Sequence, residues 1–416
     1  MSFEGLDARA RALDAADPLA PLRERFALPR GLYLCGHSLG AAPREARDRV
    51  LEEIDDWERL AVTGHHAGRR PWIGYADLLK SPLARLVGAS EREVVAMNGL
   101  TVNLHLLMAS FYAPAGRRRC IVVEEGAFSS DRHAVETQLR WHGIGPEGLI
   151  ELAPPPGEDL VDESRLEALL AERGDEIALV LWPGVQYRTG QVFDLARIAR
   201  AAHAVGARCG FDLAHAVGNV PLQLHASGAD FAVWCGYKYL NGGPGALAGA
   251  FVHERAFSAA PVRLAGWWGH EGATRFRMAP GFVPSEGADG WQLSNPPILS
   301  AAPLLASLAL FEEAGMEALR RKSLAQGALL LEGLDAHFAD ALQLVTPREP
   351  ARRGCQLSLR VLAGAAAGRR LFAALEADGV VADWREPDII RVAPVPLYNR
   401  YADVVALLQA LRRALG

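Results

Sequence analysis

Lysine is scarce in this chain. Only three lysines, Lys80, Lys238 and Lys322, stand among 44 basic residues in a sequence of 416, and arginine fills the other basic positions. Arginine therefore serves wherever only a positive charge is needed. Lys80 and Lys322 lie in amphipathic helical patterns, which predicts a solvated surface side chain for each. Lys238 lies between two tyrosines, after an apolar run and before a glycine-rich turn, and a surface role does not explain that setting.

Other features that the sequence lacks exclude several classes of protein. Residues 1–22 contain acids and no apolar stretch, so no signal peptide is expected. No run of about 18 apolar residues is present, which argues against a membrane span. A net charge of −5, with arginines scattered among acids, argues against nucleic-acid binding. No C-x-x-C pair occurs, and the cysteines are predicted to be buried, reduced thiols of a cytoplasmic protein: Cys35, Cys120, Cys209, Cys235 and Cys355.

Short apolar strands alternate with amphipathic helices through the middle of the chain. The runs CIVVEE, IALVLWP, ARCGFD and DFAVWC are each followed by a turn or a helical pattern. This alternation predicts an α/β protein with a mainly parallel sheet flanked by helices. After Asn295 a proline break, several helices and two strand patterns predict a smaller α/β domain. We therefore expect a large domain over 31–295, a small one over 296–416, and an N-terminal segment, 1–30, that packs on the small domain.

Three polar residues stand where a ligand site is expected, because ligands of such sheets bind at the carboxyl ends of the strands. Asp212 ends the ARCGFD strand, Lys238 follows the next strand, and Thr101 opens an apolar helix. A lysine amine can lose its proton and form a Schiff base, which a guanidinium cannot do. A carboxylate can keep a pyridine nitrogen protonated. The combination indicates pyridoxal phosphate, with its phosphate at the helix start and Phe128 stacked on the ring.

The pattern GHSLG around Ser38 matches the nucleophile elbow G-x-S-x-G and makes an α/β-hydrolase the main rival. Too few residues precede it to build the earlier strands and the oxyanion loop that an elbow requires. The stretch GPGALA after Lys238 matches a loose dinucleotide fingerprint, but it contains proline and precedes a strand pattern. We expect that stretch to be a turn.

A metal site is the other alternative near Asp212. His215, three residues later, could form half of such a site with His65 or His66. No C-x-x-C or H-E-x-x-H pattern supports this interpretation. We therefore expect His215 to steady the cofactor, with no metal required.

The sequence from Asp212 to Glu254 resembles the core of the kynureninases, which are fold type I pyridoxal-phosphate enzymes of the class V aminotransferase superfamily. The likeness extends over nearly the whole chain, and further matching motifs are GHSLG, TGHHAGRRPW, MNGLTVNLHLLM, AFSSDRHAVETQL, GVQYRTGQVFD, GWWGHEGATRFRM and LSNPPIL. The resemblance implies the fold type I transferase fold, bound pyridoxal phosphate and a homodimer with composite active sites.

The resemblance also implies roles for individual residues. Lys238 would bind the cofactor as an imine and act as the base, Asp212 would pair with the pyridine nitrogen, and Tyr237 would donate a proton. The residues that would bind the cofactor are Leu100, Thr101, Phe128, Ser129, Ser130, Asp131, Asp212, His215, Tyr237, Lys238, Trp267 and Asn295.

Other residues would bind the substrate or complete the site from a second copy of the chain. Arg391 would clamp the substrate α-carboxylate, a bidentate task suited to a guanidinium. Trp267 and Asn295 would be supplied across the homodimer interface. His65 together with Asn295 resembles the members that prefer 3-hydroxykynurenine.

By this resemblance the chain hydrolyses the Cβ–Cγ bond of L-kynurenine or 3-hydroxy-L-kynurenine, within tryptophan degradation and NAD biosynthesis. Two departures touch the site: His37 replaces the asparagine that is usual in the family, and Pro183 stands where some members have a serine. The nearest alternative is another class V lyase such as a cysteine desulfurase. That activity needs a reactive cysteine in a flexible loop, and none of the five is so placed.

Overall fold

The computed structural model of the chain describes residues 1–259 and 262–416. Its α-helices are α1 Phe3–Ala15, α2 Arg44–Leu60, α3 Gly64–Ala67, α4 Asp77–Val87, α5 Leu100–Phe111, α6 Ser129–Trp141, α7 Glu163–Arg173, α8 Leu195–Ala204, α9 Leu224–Ser227, α10 Arg255–Ala259, α11 Ile298–Ala314, α12 Met316–His337, α13 Ala365–Ala377 and α14 Tyr401–Leu415. Its β-strands are β1 Phe26–Ala27, β2 Leu32–Tyr33, β3 Ala42–Pro43, β4 Val94–Ala96, β5 Cys120–Glu124, β6 Leu149–Leu152, β7 Ile177–Pro183, β8 Arg208–Asp212, β9 Phe231–Trp234, β10 Gly249–Val252, β11 Leu342–Leu344, β12 Leu357–Val361, β13 Val380–Val381, β14 Asp383–Arg385 and β15 Ile389–Val392.

The central sheet has seven strands in the order β4-β10-β9-β8-β7-β5-β6. Strands β5 to β9 pair in parallel, whereas β10 runs antiparallel to both β9 and β4. Nearly every residue of β5, β7 and β9 is buried, as expected for strands that helices cover on both faces. The predicted α/β class with a mainly parallel sheet is confirmed. The GPGALA stretch leads directly into β10, as its interpretation as a turn requires.

A second sheet of four antiparallel strands, in the order β11-β12-β15-β14, lies toward the C-terminus. Helix α13 packs on this sheet, and α14 packs on α12 and α13. The hydrophobic cluster that they form also contains Leu6 and Ala10 of α1. Leu19, Leu22 and Phe26 instead belong to the cluster around the central sheet. The N-terminal segment therefore contacts both cores.

Helices α11 and α12 connect the two cores. Helix α11 packs along α2 and α4, and it is apolar on nearly all faces because other elements surround it. Gly315, with φ at +72°, then turns the chain into α12. Leu319 of α12 joins the central cluster and Leu329 joins the C-terminal one, so α12 passes from one core to the other. In the ranges that the structure describes, no single helix combines the length and apolarity of a bilayer span, although α11 and α12 meet that test as a bent pair.

The surface role predicted for Lys322 is wrong. Its Nζ is buried in α12 and lies 2.8 Å from Oδ2 of Asp17. Burial lowers the pKa of Lys322 below its usual value, although the contact with Asp17 opposes that effect. Lys80 is also less solvated than predicted, because it pairs with Asp289 and its side chain is only 17% exposed. The helical periodicity around Lys322 gives no sign that the N-terminal segment covers that face.

Among the described residues all five cysteines are free, as predicted, and four of them are buried. Cys35 is half-buried.

Candidate active site

Lys238 lies in a cavity of about 700 Å³ at the carboxyl ends of the parallel strands. It follows β9, and its Nζ lies 3.0 Å from Nε2 of His215, in the loop after β8. The residues predicted for the site that line this same cavity are Leu100, Thr101, Phe128, Ser130, Asp131, Asp212, His215 and Tyr237. Pro183, one of the two family departures, lines it as well.

The His215 ring is neutral in this position. Burial, followed by the charge of Lys238, lowers the pKa of His215 well below its usual value. A charged Lys238 therefore donates its hydrogen bond to Nε2, which leaves the ring hydrogen on Nδ1. Within the described residues Nδ1 has no hydrogen-bond partner, so it remains available to a bound group.

Three carboxyl groups line the cavity beside Lys238. Asp212 ends β8, and its Oδ1 accepts a hydrogen bond from the N–H of Ala214 at 2.6 Å. Burial and the facing Asp212 raise the pKa of Asp131 well above its usual value. Burial also raises the pKa of Glu124, at the end of β5, to about 8. Because like charges in one buried site cannot all ionise, the cluster keeps its negative charge on Asp212 and protons on the other two.

Two helix N-termini meet on another side of the cavity. Thr101 lies in the first turn of α5 and Ser130 in that of α6, and their hydroxyl oxygens are 2.7 Å apart. Neither N-cap residue, Gly99 or Phe128, caps its helix with a side chain. The first N–H groups of both helices therefore have no partner within their helix, and with the two hydroxyls they form an anion site. Ser129, also predicted for the site, is the first residue of α6.

Aromatic side chains flank the lysine. The Nζ of Lys238 lies 5.6 Å from the ring centroid of Phe128 and 5.9 Å from that of Tyr237. Burial raises the pKa of Tyr237 to about 12, so its phenol stays protonated near neutral pH. An amine, an anion site, a neutral histidine and one carboxylate in a single cavity have the donor set that pyridoxal phosphate requires.

Arg391 lies in β15, and its side chain is 1% exposed. Its Nη1 donates to the carbonyl of Tyr187 at 2.6 Å, and its Nη2 donates to the carboxylate of Asp383. Its Nε has no partner among the described residues. Burial by itself would raise the pKa of Asp383, but the nearby His37 and the charge of Arg391 hold it below its usual range. Asp383 was not predicted for the site, since β14 is short and its sequence carries no strand-end pattern.

The GHSLG loop packs against this arginine. The hydroxyl of Ser38 donates to Asp383 at 2.6 Å, and Nε2 of His37 lies 3.5 Å from the same carboxylate. His37 is fully buried, and burial, followed by the charge of Arg391, lowers its pKa to about 3. Ser38 therefore bonds to a carboxylate and not to a histidine base, so the nucleophile elbow of the hydrolase alternative is not formed.

Three predicted residues lie elsewhere within the single chain. His65, Trp267 and Asn295 line a second cavity of about 790 Å³, together with His66 and other mostly apolar side chains. Trp267 is 42% exposed there. The rival metal site of His215 with His65 or His66 is not formed, because the metal-compatible clusters among the described residues contain none of the three.

Comparison with known proteins decides the family. The kynureninase C-terminal domain family matches residues 319–411. The kynureninase of Xanthomonas euvesicatoria pv. vesicatoria is 59% identical over 403 residues, which cover 95% of each chain. That of Stenotrophomonas maltophilia is 58% identical over 402 residues, again 95% of each. This chain belongs to the kynureninase family. Membership makes it a pyridoxal-phosphate-dependent hydrolase that cleaves a carbon–carbon bond, as the sequence motifs predicted.

Solved structures of similar fold come from more distant enzymes. The cystine C–S lyase C-DES, in complex with cysteine persulfide, has a TM-score of 0.78 at 19% identity and covers 92% of this chain and 98% of its own. The cysteine desulfurase of Thermococcus onnurineus has a TM-score of 0.76 at 18% identity and covers 94% of this chain and 97% of its own. At such identities the likeness is one of fold. The predicted fold type I architecture is confirmed, whereas the kynureninase relatives at 57–59% identity outweigh the desulfurase alternative.

Proposed function

We propose that this enzyme hydrolyses the Cβ–Cγ bond of L-kynurenine or 3-hydroxy-L-kynurenine, which releases L-alanine and anthranilate or 3-hydroxyanthranilate. The observation that carries the proposal is the 3.0 Å contact between Lys238 Nζ and His215 Nε2. That contact lies in one cavity with a carboxyl cluster and an anion site. Family membership gives the class of reaction, and the residues of this chain supply its separate parts.

Lys238 attaches the cofactor and then moves a proton. When bound, pyridoxal phosphate withdraws electrons from the substrate bonds next to it. Once the substrate amine has displaced Lys238, the freed amine takes the proton from the substrate α-carbon. Asp212 keeps the pyridine nitrogen protonated, and the neutral Asp131 beside it leaves that charge uncontested.

The anion site orients the cofactor. The hydroxyls of Thr101 and Ser130 and the N–H groups of Leu100 and Ser129 would hold the phosphate, since they lie in the first turns of α5 and α6. Phe128, at the N-cap of α6, would cover one face of the ring. His215 would lie beside the ring with its Nδ1–H directed to a bound group.

Two further side chains act on the substrate itself. Tyr237 would supply a proton near the substrate γ-carbonyl, where water adds before the bond breaks. Its phenol suits that task because burial keeps its pKa near 12. Arg391 would bind the α-carboxylate through the guanidinium atoms that Tyr187 and Asp383 already orient.

The active site is proposed to be completed by a second copy of the chain. Trp267 and Asn295 do not line the Lys238 cavity of their own chain. Trp267, Phe276 and Met278 are exposed apolar side chains near one another in sequence, and such patches are typical of subunit interfaces.

Mixing two inactive variants tests this composite site. Lys238→Ala and Asn295→Ala enzymes, unfolded and refolded together in equal amounts, should regain about a quarter of wild-type activity, because heterodimers carry one intact site. Each variant refolded alone is the control. Activity that stays at the level of the separate variants would show that both residues belong to one chain's site.

The preference for 3-hydroxykynurenine is proposed from His65 and Asn295, which line the same cavity. One polar contact shifts specificity by about 1–3 kcal/mol. We expect a higher kcat/KM for the 3-hydroxy substrate, and Asn295→Ala should narrow the difference. His66→Ala, in the same cavity, should not. Equal kcat/KM values in the wild type would contradict the proposed preference.

A cytoplasmic location fits the five free thiols. A role in tryptophan degradation or NAD biosynthesis follows from the proposed substrates and stands or falls with them.

A direct product assay tests the proposed reaction. The holoenzyme is incubated with kynurenine, with 3-hydroxykynurenine and, separately, with cysteine. Equal amounts of alanine and the matching anthranilate should form from the first two. Release of sulfur from cysteine, without anthranilate from either kynurenine, would select a desulfurase.

A further inference from the structure

A second cluster of chemically active side chains lies far from Lys238 in the fold. Glu93 lies in the turn before β4, His225 in α9, and His253 directly after β10. Phe251 of β10 pairs with Val94 of β4, so these elements meet at the edge of the sheet opposite the cofactor cavity. Neither the sequence motifs nor the proposed reaction uses these three residues.

The geometry of the cluster is that of metal ligands. Oε1 of Glu93 lies 2.9 Å from Nδ1 of His225 and 3.6 Å from Nδ1 of His253. The three atoms all lie within 4.8 Å of one another. Tetrahedral zinc with bonds of about 2.0–2.1 Å holds its ligand atoms roughly 3.3 Å apart, between the two measured distances. The two imidazole rings are stacked, with centroids 4.9 Å apart, and both Nδ1 atoms face the same carboxylate.

We propose that Glu93, His225 and His253 bind one divalent transition-metal ion, with Zn²⁺ as the best match. Two imidazole nitrogens and one carboxylate oxygen suit zinc, and a water molecule would complete the four ligands. His225 is half-exposed, so the ion enters from solvent and the fourth position faces the same way. The site is independent of the proposed reaction.

Neighbouring groups already orient the carboxylate. The N–H of Glu254 donates to Oε1 of Glu93 at 3.0 Å, and the N–H and hydroxyl of Ser90 donate to Oε2 at 3.0 and 3.1 Å. Such outer hydrogen bonds are a regular part of metal sites, because they fix the ligand before the ion arrives. The carboxylate itself is fully buried, and a buried charge requires a cation or several hydrogen bonds.

Two features compete with the ion. The N–H of Arg255 makes a long bond of 3.3 Å to Nδ1 of His253, which the metal would replace. The Arg255 guanidinium is turned to the neighbouring Asp230, at 3.2 Å, and so is partly neutralised.

Protons are the second competitor. The hydrogen bond to Glu93 raises the pKa of His225, with a smaller contribution from Glu254. Burial, followed by Arg255, lowers the pKa of His253. One proton on His225 therefore occupies the metal-free cluster, and zinc must displace it. Affinity should rise with pH through the titration of His225.

Calorimetric titration of the holoenzyme with zinc tests the proposal. The enzyme is first treated with a chelator to remove metal acquired during purification. One Zn²⁺ per chain should bind, and His225→Asn and His253→Asn should each weaken binding by about tenfold or more. Cobalt(II) should give the visible d–d bands of a tetrahedral site in the wild type and lose them in both variants. Glu93 is left intact because it also caps the turn before β4.

A neighbouring histidine provides the matched control. His203 lies 2.8 Å from the buried Asp230 but has no second histidine beside it, so His203→Asn should leave zinc affinity unchanged. Thermal unfolding without metal establishes that each variant is folded, and zinc should raise the midpoint only where the cluster is intact. Absence of stoichiometric binding overturns the proposal. Equal affinity in wild type, His225→Asn and His253→Asn overturns it too, and so does equal weakening by His203→Asn.

Discussion

Arg391 and Asp383 form a buried ion pair beneath the cofactor cavity, and Ser38 donates a third contact to the same carboxylate. Asp383 therefore has two opposite effects. It fixes the guanidinium in place, and it occupies a charge that a substrate carboxylate would use. Removing one partner of a buried ion pair is costly, because the other charge is left uncompensated.

Asp383→Asn should raise KM for kynurenine by about tenfold or more and change kcat less, because the variant loses orientation of Arg391 rather than a proton-transfer group. Steady-state kinetics measure both constants. Asp378→Asn, whose pair with Arg413 is exposed, is the control and should match the wild type. An unchanged KM in Asp383→Asn would show that Tyr187 alone positions the arginine.

Lys238→Arg keeps the charge and loses the amine that bonds to the cofactor. Activity should fall by roughly three orders of magnitude or more. Borohydride treatment followed by peptide mass analysis should find the cofactor fixed to the Lys238 peptide in the wild type only. Lys80→Arg serves as control. A Lys238→Arg enzyme that retains turnover would rule out the proposed base.

Glu124→Gln should stabilise the enzyme at pH 7 and above. The pKa of Glu124 is raised from 4.5 to about 8 in the folded state because it is buried. Between those values the folded chain holds a proton that the unfolded chain has released, so this group lowers stability as pH rises from 4.5 to 8, at about 1.4 kcal/mol per pH unit at most. Glutamine is neutral throughout and removes that loss.

Thermal midpoints at pH 5 and pH 7 check this expectation. The gain of Glu124→Gln over wild type should be larger at pH 7, whereas Glu125→Gln, at the exposed neighbouring position, should show no such difference. A variant with the same pH dependence as the wild type would mean that Glu124 is ionised in the folded enzyme.

Lys322→Met should lower the free energy of unfolding by about 3–5 kcal/mol, since it leaves the buried Asp17 without its counter-charge. Replacing both partners, with Asp17→Asn and Lys322→Met together, should recover most of the loss. Urea midpoints measure both effects, and kcat of the folded fraction should not change. If the double variant is as unstable as the single one, the loss comes from packing and not from the unpaired charge.

The strand-end rule and the family motifs located most of the candidate site. Asp212 and Lys238 were predicted because each follows an apolar strand, and the structure brings both to one cavity. Glu124 obeys the same rule but was missed, because CIVVEE ends in two acids and the sequence does not show which one turns inward. Asp383 and the burial of Lys322 depend on contacts between segments more than 300 residues apart, which local periodicity does not encode.

The distribution of the three lysines also bears on how the protein can be handled. Lys322 is buried, Lys80 is paired with Asp289, and Lys238 lines the cofactor cavity. Amine-directed reagents therefore find almost no reactive lysine on the folded surface. Covalent capture of two associated chains, or attachment to a solid support, calls for carboxylate- or arginine-directed chemistry instead.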